Sequence, residues 1–191
     1  MKIRSFLAFE LPPDIKSIVE RVSREVRTSP LEASWGKPEN IHLTVVFLGN
    51  IETEEIEAVG ETVKGVCMGY RPFHLSLKPM GCFPNSRNPR VLWLGLDGDL
   101  ERMSRFRDGL QHGLKSFGIK EEERPFRPHL TLGRFRKPAR MEAQLNHLMS
   151  GYRELTSPVC SLHELILFKS DLKPGGAVYT KTKSFPLAGE K

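Results

Sequence analysis

The chain has 191 residues, of which 39% are hydrophobic and 27% charged, and its formal net charge at pH 7 is +6. This balance excludes a disordered chain, and no apolar stretch approaches the roughly 18 residues that a membrane helix needs. The positive charge favours an anionic partner such as nucleic acid.

The cysteines and the N-terminal segment restrict the cellular compartment. Cys67, Cys82 and Cys160 are odd in number and lack C-x-x-C spacing, so they indicate neither a disulfide framework nor a zinc site. The first ten residues hold too short an apolar stretch for a signal peptide. We therefore predict a cytoplasmic protein that does not associate with membranes.

Hydrophobic periodicity and breaker residues predict the elements of the first half in chain order. They are a strand Ile3–Leu11, a helix from Pro12-Pro13-Asp14 to about Thr28, a strand His42–Leu48, a helix from Thr53 to about Gly69, strands Phe73–Leu77 and Val91–Leu96, and a helix from about Leu100 to Phe117 that ends at Gly118. The second half adds a strand His129–Phe135, a helix Ala139–Met149, and strands Val159–Lys169 and Ala177–Phe185.

The order strand, helix, strand, strand thus occurs twice, in residues 40–98 and 127–186, about 87 residues apart. We predict an α+β fold with two pseudo-symmetric lobes, each a mostly antiparallel sheet with helices on the outside, and an active cleft between them. A parallel sheet is disfavoured because the strands at 73–77 and 91–96 lack a crossover helix. Since no linker separates the lobes, we predict one domain, residues 1–191.

The tripeptide His-Leu-Thr occurs twice, as His42-Leu43-Thr44 and as His129-Leu130-Thr131. From the composition alone, about 0.03 copies of this tripeptide are expected in the chain. Chance therefore does not explain two copies in matching contexts. Alternate residues of a strand share a face, so each copy places an imidazole beside a hydroxyl. A single His-x-Thr sequence is typical of an ordinary half-buried strand. Packing, however, gives no reason to place His-Leu-Thr twice, at equivalent positions of the two repeats.

Two histidines facing one cleft suit the hydrolysis of a 2′,3′-cyclic phosphate, which needs one group to take a proton from water and another to protonate the departing ribose oxygen. Histidine can do either near neutral pH. Thr44 and Thr131 would donate hydrogen bonds to the charge that develops on phosphorus. The residues alone leave open which histidine is the acid and which is the base.

The fifth residue after each histidine differs between the two copies. Arg134 lies near the end of its strand, where its guanidinium can bind a phosphate, although a surface salt bridge is the alternative. Phe47 is expected to belong to the hydrophobic core rather than to serve as a platform for a base. No His-Glu, His-Asp or Cys cluster supports a metal centre.

The paired motifs His42–Val45 and His129–Leu132 resemble the His-x-Thr-x signature of the 2H phosphoesterase superfamily. The surrounding segments are similar to those of the bacterial and archaeal RNA 2′,3′-cyclic phosphodiesterases, which are also called 2′-5′ RNA ligases. These segments are Trp35-Gly36-Lys37-Pro38-Glu39-Asn40-Ile41, Pro89-Arg90-Val91-Leu92-Trp93-Leu94-Gly95, Phe126-Arg127-Pro128, Leu165-Ile166-Leu167-Phe168-Lys169-Ser170 and Gly175-Gly176-Ala177-Val178-Tyr179. The resemblance covers nearly the whole chain.

The resemblance implies that His42 is the proton donor to the leaving oxygen and that His129 is the proton acceptor for water. It also implies that the bond to the 3′ oxygen breaks, which leaves a 2′-phosphomonoester, and that no metal or cofactor takes part. We therefore expect the substrates to be RNA ends or nucleotides with a 2′,3′-cyclic phosphate. We also expect a monomer without an obligatory protein partner.

Two alternatives use the same residues. The reverse reaction would join a 2′,3′-cyclic phosphate to a 5′-hydroxyl through a 2′-5′ linkage, although water should outcompete RNA ends in dilute solution. A non-catalytic nucleotide-binding module would recognise the phosphate without hydrolysing it, but both histidines are present here. A purely structural RNA-binding protein fits less well, because the chain has no dense basic-aromatic stripe.

Overall fold

The computed structural model describes residues 1–136 and 141–191. The strands are β1 (Lys2–Phe9), β2 (Ser34–Trp35), β3 (Leu43–Glu52), β4 (Phe73–Phe83), β5 (Val91–Gly98), β6 (Leu130–Arg134), β7 (Cys160–Leu162), β8 (Glu164–Lys173) and β9 (Gly176–Pro186). The helices are α1 (Pro13–Arg27), α2 (Ile56–Cys67), α3 (Leu100–Leu114) and α4 (Glu142–Ser150).

The strands form two sheets in which every pair of neighbours is antiparallel. Sheet I has the order β3-β1-β8-β9, and sheet II has the order β2-β6-β5-β4-β7. These two sheets confirm the predicted α+β class with mostly antiparallel pairing.

Each sheet takes strands from both segments of the predicted repeat. β3, from the first segment, lies in sheet I with β8 and β9 of the second, whereas β6, from the second, lies in sheet II with β4 and β5 of the first. The two segments therefore cannot separate without breaking backbone hydrogen bonds in both sheets. A single domain over residues 1–191 stays a prediction, and this exchange of strands favours it.

The helices bury apolar residues at helical spacing. In α1 these are Ile15, Val19, Val22 and Val26, and in α3 they are Met103, Phe106, Leu110 and Leu114. These side chains belong to the same core as Leu7 and Phe9 of β1.

The opposite face of sheet I carries a separate apolar cluster. It contains Phe6 and Ala8 of β1 with Ile166 and Phe168 of β8, and Tyr179 of β9 packs against it. Because alternate residues of β1 join different clusters, sheet I has one face toward the helices and one face away from them. The second face is the one that carries the candidate site.

A β-bulge in β3 changes which side chains reach that face. Thr44 and Val46 lie opposite consecutive residues of β1, so Val45 is an extra residue in the strand. A bulge of one residue reverses the alternation of the side chains that follow it. Phe47 therefore lies on the face of Thr44 instead of pointing into the core.

β6 has a bulge at the equivalent position. Thr131 and Gly133 lie opposite consecutive residues of β5, so Leu132 is the extra residue. Arg134 consequently lies on the face of Thr131, as Phe47 lies on the face of Thr44. The two motifs thus share their backbone irregularity as well as their sequence.

Two predicted elements need correction. The predicted strand Val159–Lys169 is divided at His163, where the chain passes from β7 in sheet II to β8 in sheet I. The crossing lies at the polar pair His163-Glu164, which interrupts the apolar residues of the predicted strand. The predicted start of the fourth helix, Ala139, lies outside the described residues, and α4 begins at Glu142.

We predict opposite effects on stability for alanine at two exposed glycines. Gly118 has a φ of 72°, so Gly118→Ala should lower the free energy of unfolding by about 1 kcal/mol because L side chains disfavour this conformation. Gly65 lies in α2, where an added methyl group would meet no atom within 4 Å, so Gly65→Ala should raise it by roughly 0.5–1 kcal/mol. Urea denaturation measures the free energy of unfolding of both variants. A change of the same sign in the two variants would contradict the prediction.

Candidate active site

Each motif histidine is held by a hydrogen bond to the backbone two residues before it. Nδ1 of His42 donates to the carbonyl oxygen of Asn40 at 2.7 Å, and Nδ1 of His129 donates to that of Arg127 at 2.7 Å. A carbonyl oxygen can only accept, so the proton of each neutral ring is on Nδ1. Nε2 of each ring is therefore free to accept a proton or, once protonated, to donate one.

Aromatic side chains of sheet I surround His42. Its ring stacks on Phe6 with 4.7 Å between centroids and on Phe168 at 6.0 Å, and Tyr179 meets it edge-on at 5.2 Å. This burial lowers the pKa of His42 below its usual value. The hydrogen bond to Asn40 and the charge of Glu10 raise the pKa, but by less than burial lowers it.

His129 has a similar aromatic environment in sheet II. Phe83 meets its ring edge-on at 5.0 Å, and the Trp93 ring lies at 6.3 Å. Burial again lowers the pKa of the histidine, and the positive charge of Arg134 lowers it further. The hydrogen bond to Arg127 raises the pKa and partly offsets these effects. The nearby charges therefore act in opposite directions on the two histidines.

A cavity of about 500 Å³ opens between the two motifs. Its lining includes His42 and Thr44 from the first motif together with Thr131 and Arg134 from the second. The structure therefore brings together four of the five side chains that the sequence singled out, and they come from different sheets.

His129 is not among the described residues that line this cavity. Its orientation follows from Trp93, which lies opposite Thr131 in the pairing of β5 with β6. Residues that pair directly have side chains on the same face, so Trp93 and Thr131 share a face. The contact of His129 with Trp93 places the imidazole on that face, next to the cavity wall that Thr131 forms.

The expectation that Phe47 belongs to the core is wrong. Its side chain is 64% exposed and lines the cavity, because the bulge at Val45 reverses the alternation of β3. Arg134, at the equivalent place, is exposed and forms no salt bridge within residues 1–136 and 141–191.

Sequence reasoning gave no site role to several polar residues at the cavity, among them Arg4, Lys37 and Asn40. Arg4 and Lys37 add positive charge to its wall. Asn40 lines it and donates from Nδ2 to the carbonyl oxygen of Ala177 at 3.0 Å, which ties the turn that holds His42 to β9. The sequence could have indicated Arg4, because Arg4 and Phe6 are two residues apart in β1 and residues at this spacing lie on the same face of a strand.

Together these groups can move protons to and from the oxygens of a bound phosphate while cations and hydroxyls bind its charge. Within the described residues, no three His, Cys, Asp or Glu side chains cluster as metal ligands. The same part of the chain contains no helix long and apolar enough to cross a bilayer.

Comparison with known proteins gives a consistent result. The family model described as the 2′-5′ RNA ligase superfamily matches residues 12–174. An RNA 2′,3′-cyclic phosphodiesterase of Methanothermobacter thermautotrophicus is 31% identical over 98% of this chain and 100% of its own length. A protein of the same name from Aquifex aeolicus is 29% identical over 98% of both chains.

Solved structures show the same fold. TT0787 of Thermus thermophilus superposes with a TM-score of 0.80 at 28% identity, covering 99% of this chain and 100% of that one. Escherichia coli LigT complexed with 3′-AMP superposes with a TM-score of 0.75 at 25% identity, covering 98% and 99%. The fold with its two antiparallel sheets is therefore shared with these solved structures.

The tautomers of the two histidines can be measured directly. We predict that both neutral rings carry their proton on Nδ1, and that both titrate below the ordinary value near 6.5 because burial lowers their pKa. Nitrogen-15 NMR of histidine-labelled protein across pH reports tautomer and pKa together, with the exposed His147 as an internal control. A neutral Nε2–H form at either position would contradict the geometry.

Proposed function

Because the chain belongs to the 2′-5′ RNA ligase superfamily, we propose that it hydrolyses RNA or nucleotide 2′,3′-cyclic phosphates to 2′-phosphomonoesters without a metal ion, through His42 and His129. The chain is an enzyme of the cyclic phosphodiesterase class, because it is similar along nearly its whole length to proteins named for that activity. The two-histidine mechanism is supported by the pair of Nδ1 hydrogen bonds, which leaves Nε2 of both histidines free.

In the proposed reaction, Nε2 of neutral His129 takes a proton from water as the water oxygen bonds to phosphorus. The bond from phosphorus to the 3′ oxygen breaks, and that oxygen takes the proton from Nε2 of protonated His42. The product has a 3′-hydroxyl and a 2′-phosphomonoester, and the two rings then exchange protons with solvent. This reaction needs the acid and the base on opposite sides of phosphorus, and the two motifs come from different sheets.

The charges beside the two rings favour this assignment of roles. Burial lowers the pKa of His42, and the negative charge of Glu10 opposes this effect and so favours the protonated form that an acid needs. Arg134 lowers the pKa of His129 and so favours its neutral form, which a base needs. The residues of the motifs are the same, so these neighbours supply the difference between them.

The remaining cavity residues suit the charge of the reacting phosphate. Thr44 and Thr131 present hydroxyl donors from the two sheets, and Arg134 presents a guanidinium that can bind two phosphate oxygens. Because these groups supply donors and positive charge, the proposed reaction proceeds without a metal ion.

Ligation is a second candidate, since the family model carries the description of an RNA ligase. The 5′-hydroxyl of a second RNA would attack the 2′,3′-cyclic phosphate in place of water. The bond from phosphorus to the 3′ oxygen would break, and a 2′-5′ linkage would form with the same histidines moving the protons. Hydrolysis is favoured in dilute solution because water greatly outnumbers RNA ends.

Replacement of either histidine tests the proposal. His42→Asn and His129→Asn should each lower kcat for adenosine 2′,3′-cyclic monophosphate by about 10²- to 10⁴-fold, because each removes one proton transfer. His147→Asn is the matched control, since His147 is exposed on α4 and should not affect turnover. Near-normal turnover in either site variant, with circular dichroism unchanged, would overturn the mechanism.

The product and the metal requirement can be read in the same assay. With EDTA in excess, we expect undiminished hydrolysis and adenosine 2′-phosphate as the product, identified by chromatography against both isomers. An adenosine 3′-phosphate product would show that the 2′ oxygen is the leaving group. A strict need for added Zn²⁺ or Mg²⁺ would contradict the metal-free mechanism.

The pH dependence of kcat/KM tests whether two histidines with lowered pKa values carry the reaction. Activity should rise as His129 loses its proton and fall as His42 loses its own, and lowered pKa values for both place the optimum below about 6.5. Glu10→Gln removes a charge that raises the pKa of His42, so the falling limb should move to lower pH. Arg134→Gln removes a charge that lowers the pKa of His129, so the rising limb should move to higher pH.

A profile in which neither substitution moves a limb would contradict the influence of Glu10 on His42 and of Arg134 on His129.

A further inference from the structure

Arg107 is a buried cation outside the cavity. It lies on α3 with only 7% of its surface exposed, and it does not line the cavity. Burying a guanidinium costs free energy unless hydrogen bonds and an opposite charge compensate for it. Nη1 of Arg107 donates to the Asp108 carboxylate at 2.7 Å. Nη2 donates to the carbonyl oxygens of Glu122 and Arg124, each at 2.9 Å.

These two carbonyl groups belong to the segment that leads to the second motif. Residues 121–128 contain no helix or strand, and within residues 1–136 and 141–191 none of their backbone groups bonds to another backbone group. Yet this segment places the carbonyl group of Arg127, which accepts the hydrogen bond from Nδ1 of His129. Side chains therefore have to supply the order that backbone hydrogen bonds do not supply.

The first motif has a different support. The carbonyl group that holds His42 belongs to Asn40, the last residue of the 3-10 turn Pro38–Asn40. Two backbone hydrogen bonds of 2.9 and 3.2 Å close this turn, and the Asn40 side chain bonds to Ala177 of β9. The two equivalent carbonyl groups are thus held in place by different means.

Arg107 holds the second segment at more than the two carbonyl groups. Its guanidinium lies over the ring of Phe126, with 5.5 Å between Cζ and the ring centroid. Glu122 and Arg124 are also joined to each other, because Arg124 donates from Nε and Nη2 to the Glu122 carboxylate at 2.9 and 2.6 Å. The contact with Phe126 lies one residue before the carbonyl group of Arg127.

Two prolines restrict the same stretch of chain. Pro125 and Pro128 each fix their own φ angle and disfavour a helical conformation of the residue before them. Phe126, which lies between them, packs against the hydrophobic core. Few dihedral angles therefore stay free between the guanidinium and the carbonyl group of Arg127.

We propose that Arg107 is a positioning residue for the base: by holding residues 122–126, its guanidinium fixes the Arg127 carbonyl and thereby the tautomer and orientation of His129. This inference rests on the proposed function, in which Nε2 of His129 takes the proton from water. Because Arg107 does not line the cavity, its effect should fall on kcat rather than on KM.

Arg107→Met tests the role without removing the fold. Methionine has a helix propensity similar to that of arginine and keeps an unbranched side chain in the buried position. Glu122 and Arg124 are exposed, so water can bond to their carbonyl groups once the guanidinium is gone. Asp108 is 60% exposed, so its charge stays in water.

We expect Arg107→Met to lower kcat for adenosine 2′,3′-cyclic monophosphate about tenfold with KM little changed, because a displaced base aligns poorly with the attacking water. Arg105→Met is the matched control and should leave both constants unchanged. Arg105 lies on the same helix, but it is exposed and pairs with Glu101.

Nitrogen-15 NMR of histidine-labelled protein measures the positioning itself. At a pH where both rings are neutral, part of the His129 population in Arg107→Met should change from the Nδ1–H to the Nε2–H tautomer, while His42 keeps Nδ1–H. Arg107→Lys places an ammonium there without the guanidinium fork, so its kcat and its tautomer population should be intermediate. A general loosening of the fold would disturb both rings alike.

A double substitution provides an independent test. In the His129→Asn background, Arg107→Met should have no further effect on the residual kcat, because the ring that Arg107 positions is gone. A general structural effect would lower kcat by the same factor in both backgrounds.

The outcomes separate this inference from the proposed function. If the wild-type protein does not hydrolyse the cyclic substrate, the proposed function fails. If the wild-type protein hydrolyses it but Arg107→Met leaves kcat and the His129 tautomer unchanged, or lowers kcat equally in both backgrounds, the positioning role is refuted while the function stands. If Arg107→Met does not fold, Arg107→Lys takes its place, and an unchanged kcat and tautomer in that variant refute the role.

Discussion

The site depends on one hydrogen bond that occurs twice, from Nδ1 of a histidine to the backbone carbonyl two residues earlier. The bond fixes the rotation of the ring and its tautomer together, so Nε2 is the atom left for proton transfer. Aromatic neighbours then bury each ring and lower its pKa. A histidine without this bond would be free to present either nitrogen, and the proposed acid and base would lose their preorganisation.

The two motifs share their backbone geometry but differ in the charged side chains around them. The two motifs share the carbonyl hydrogen bond, the threonine and the bulge, which gives each sheet the same means of presenting groups to the cavity. The side chains around them differ, because Glu10 is near His42 and Arg134 is near His129. Opposite charges beside equivalent rings favour opposite protonation states, as one displacement at phosphorus requires.

The sequence predicts the parts of this molecule that depend on local pattern. The helices α1 to α3 and the strands around both motifs follow from periodicity and breakers. Gly118 ends the 3-10 turn Lys115–Phe117 that directly follows α3. The exchange of β3 and β6 between the sheets does not follow from local pattern, because strand pairing is set by contacts far apart in sequence. The strand divides at the polar pair His163-Glu164, an interruption of the apolar pattern that is too short to predict a crossing between sheets.

Within the site, sequence identified the side chains of both motifs but misplaced Phe47. Strict alternation from Thr44 assigns Phe47 to the core, and only the extra residue Val45 reverses that assignment. A bulge has no reliable sequence signal, although the equivalent spacing of Arg134 in the second motif was a clue. The hydrogen bonds to the carbonyls of Asn40 and Arg127 also had no signal, because every residue carries a carbonyl.

In the proposed mechanism, Nε2 of His42 and Nε2 of His129 act on opposite sides of one phosphorus atom. The most direct measurement is a crystal structure with adenosine 2′,3′-cyclic vanadate, whose five-coordinate centre mimics the transition state. The account predicts each Nε2 within about 2.6–3.2 Å of a different apical oxygen, with His42 beside the ribose 3′ oxygen and His129 beside the oxygen of water. Both rings on one side of vanadium, or either ring beyond hydrogen-bond reach, would contradict it.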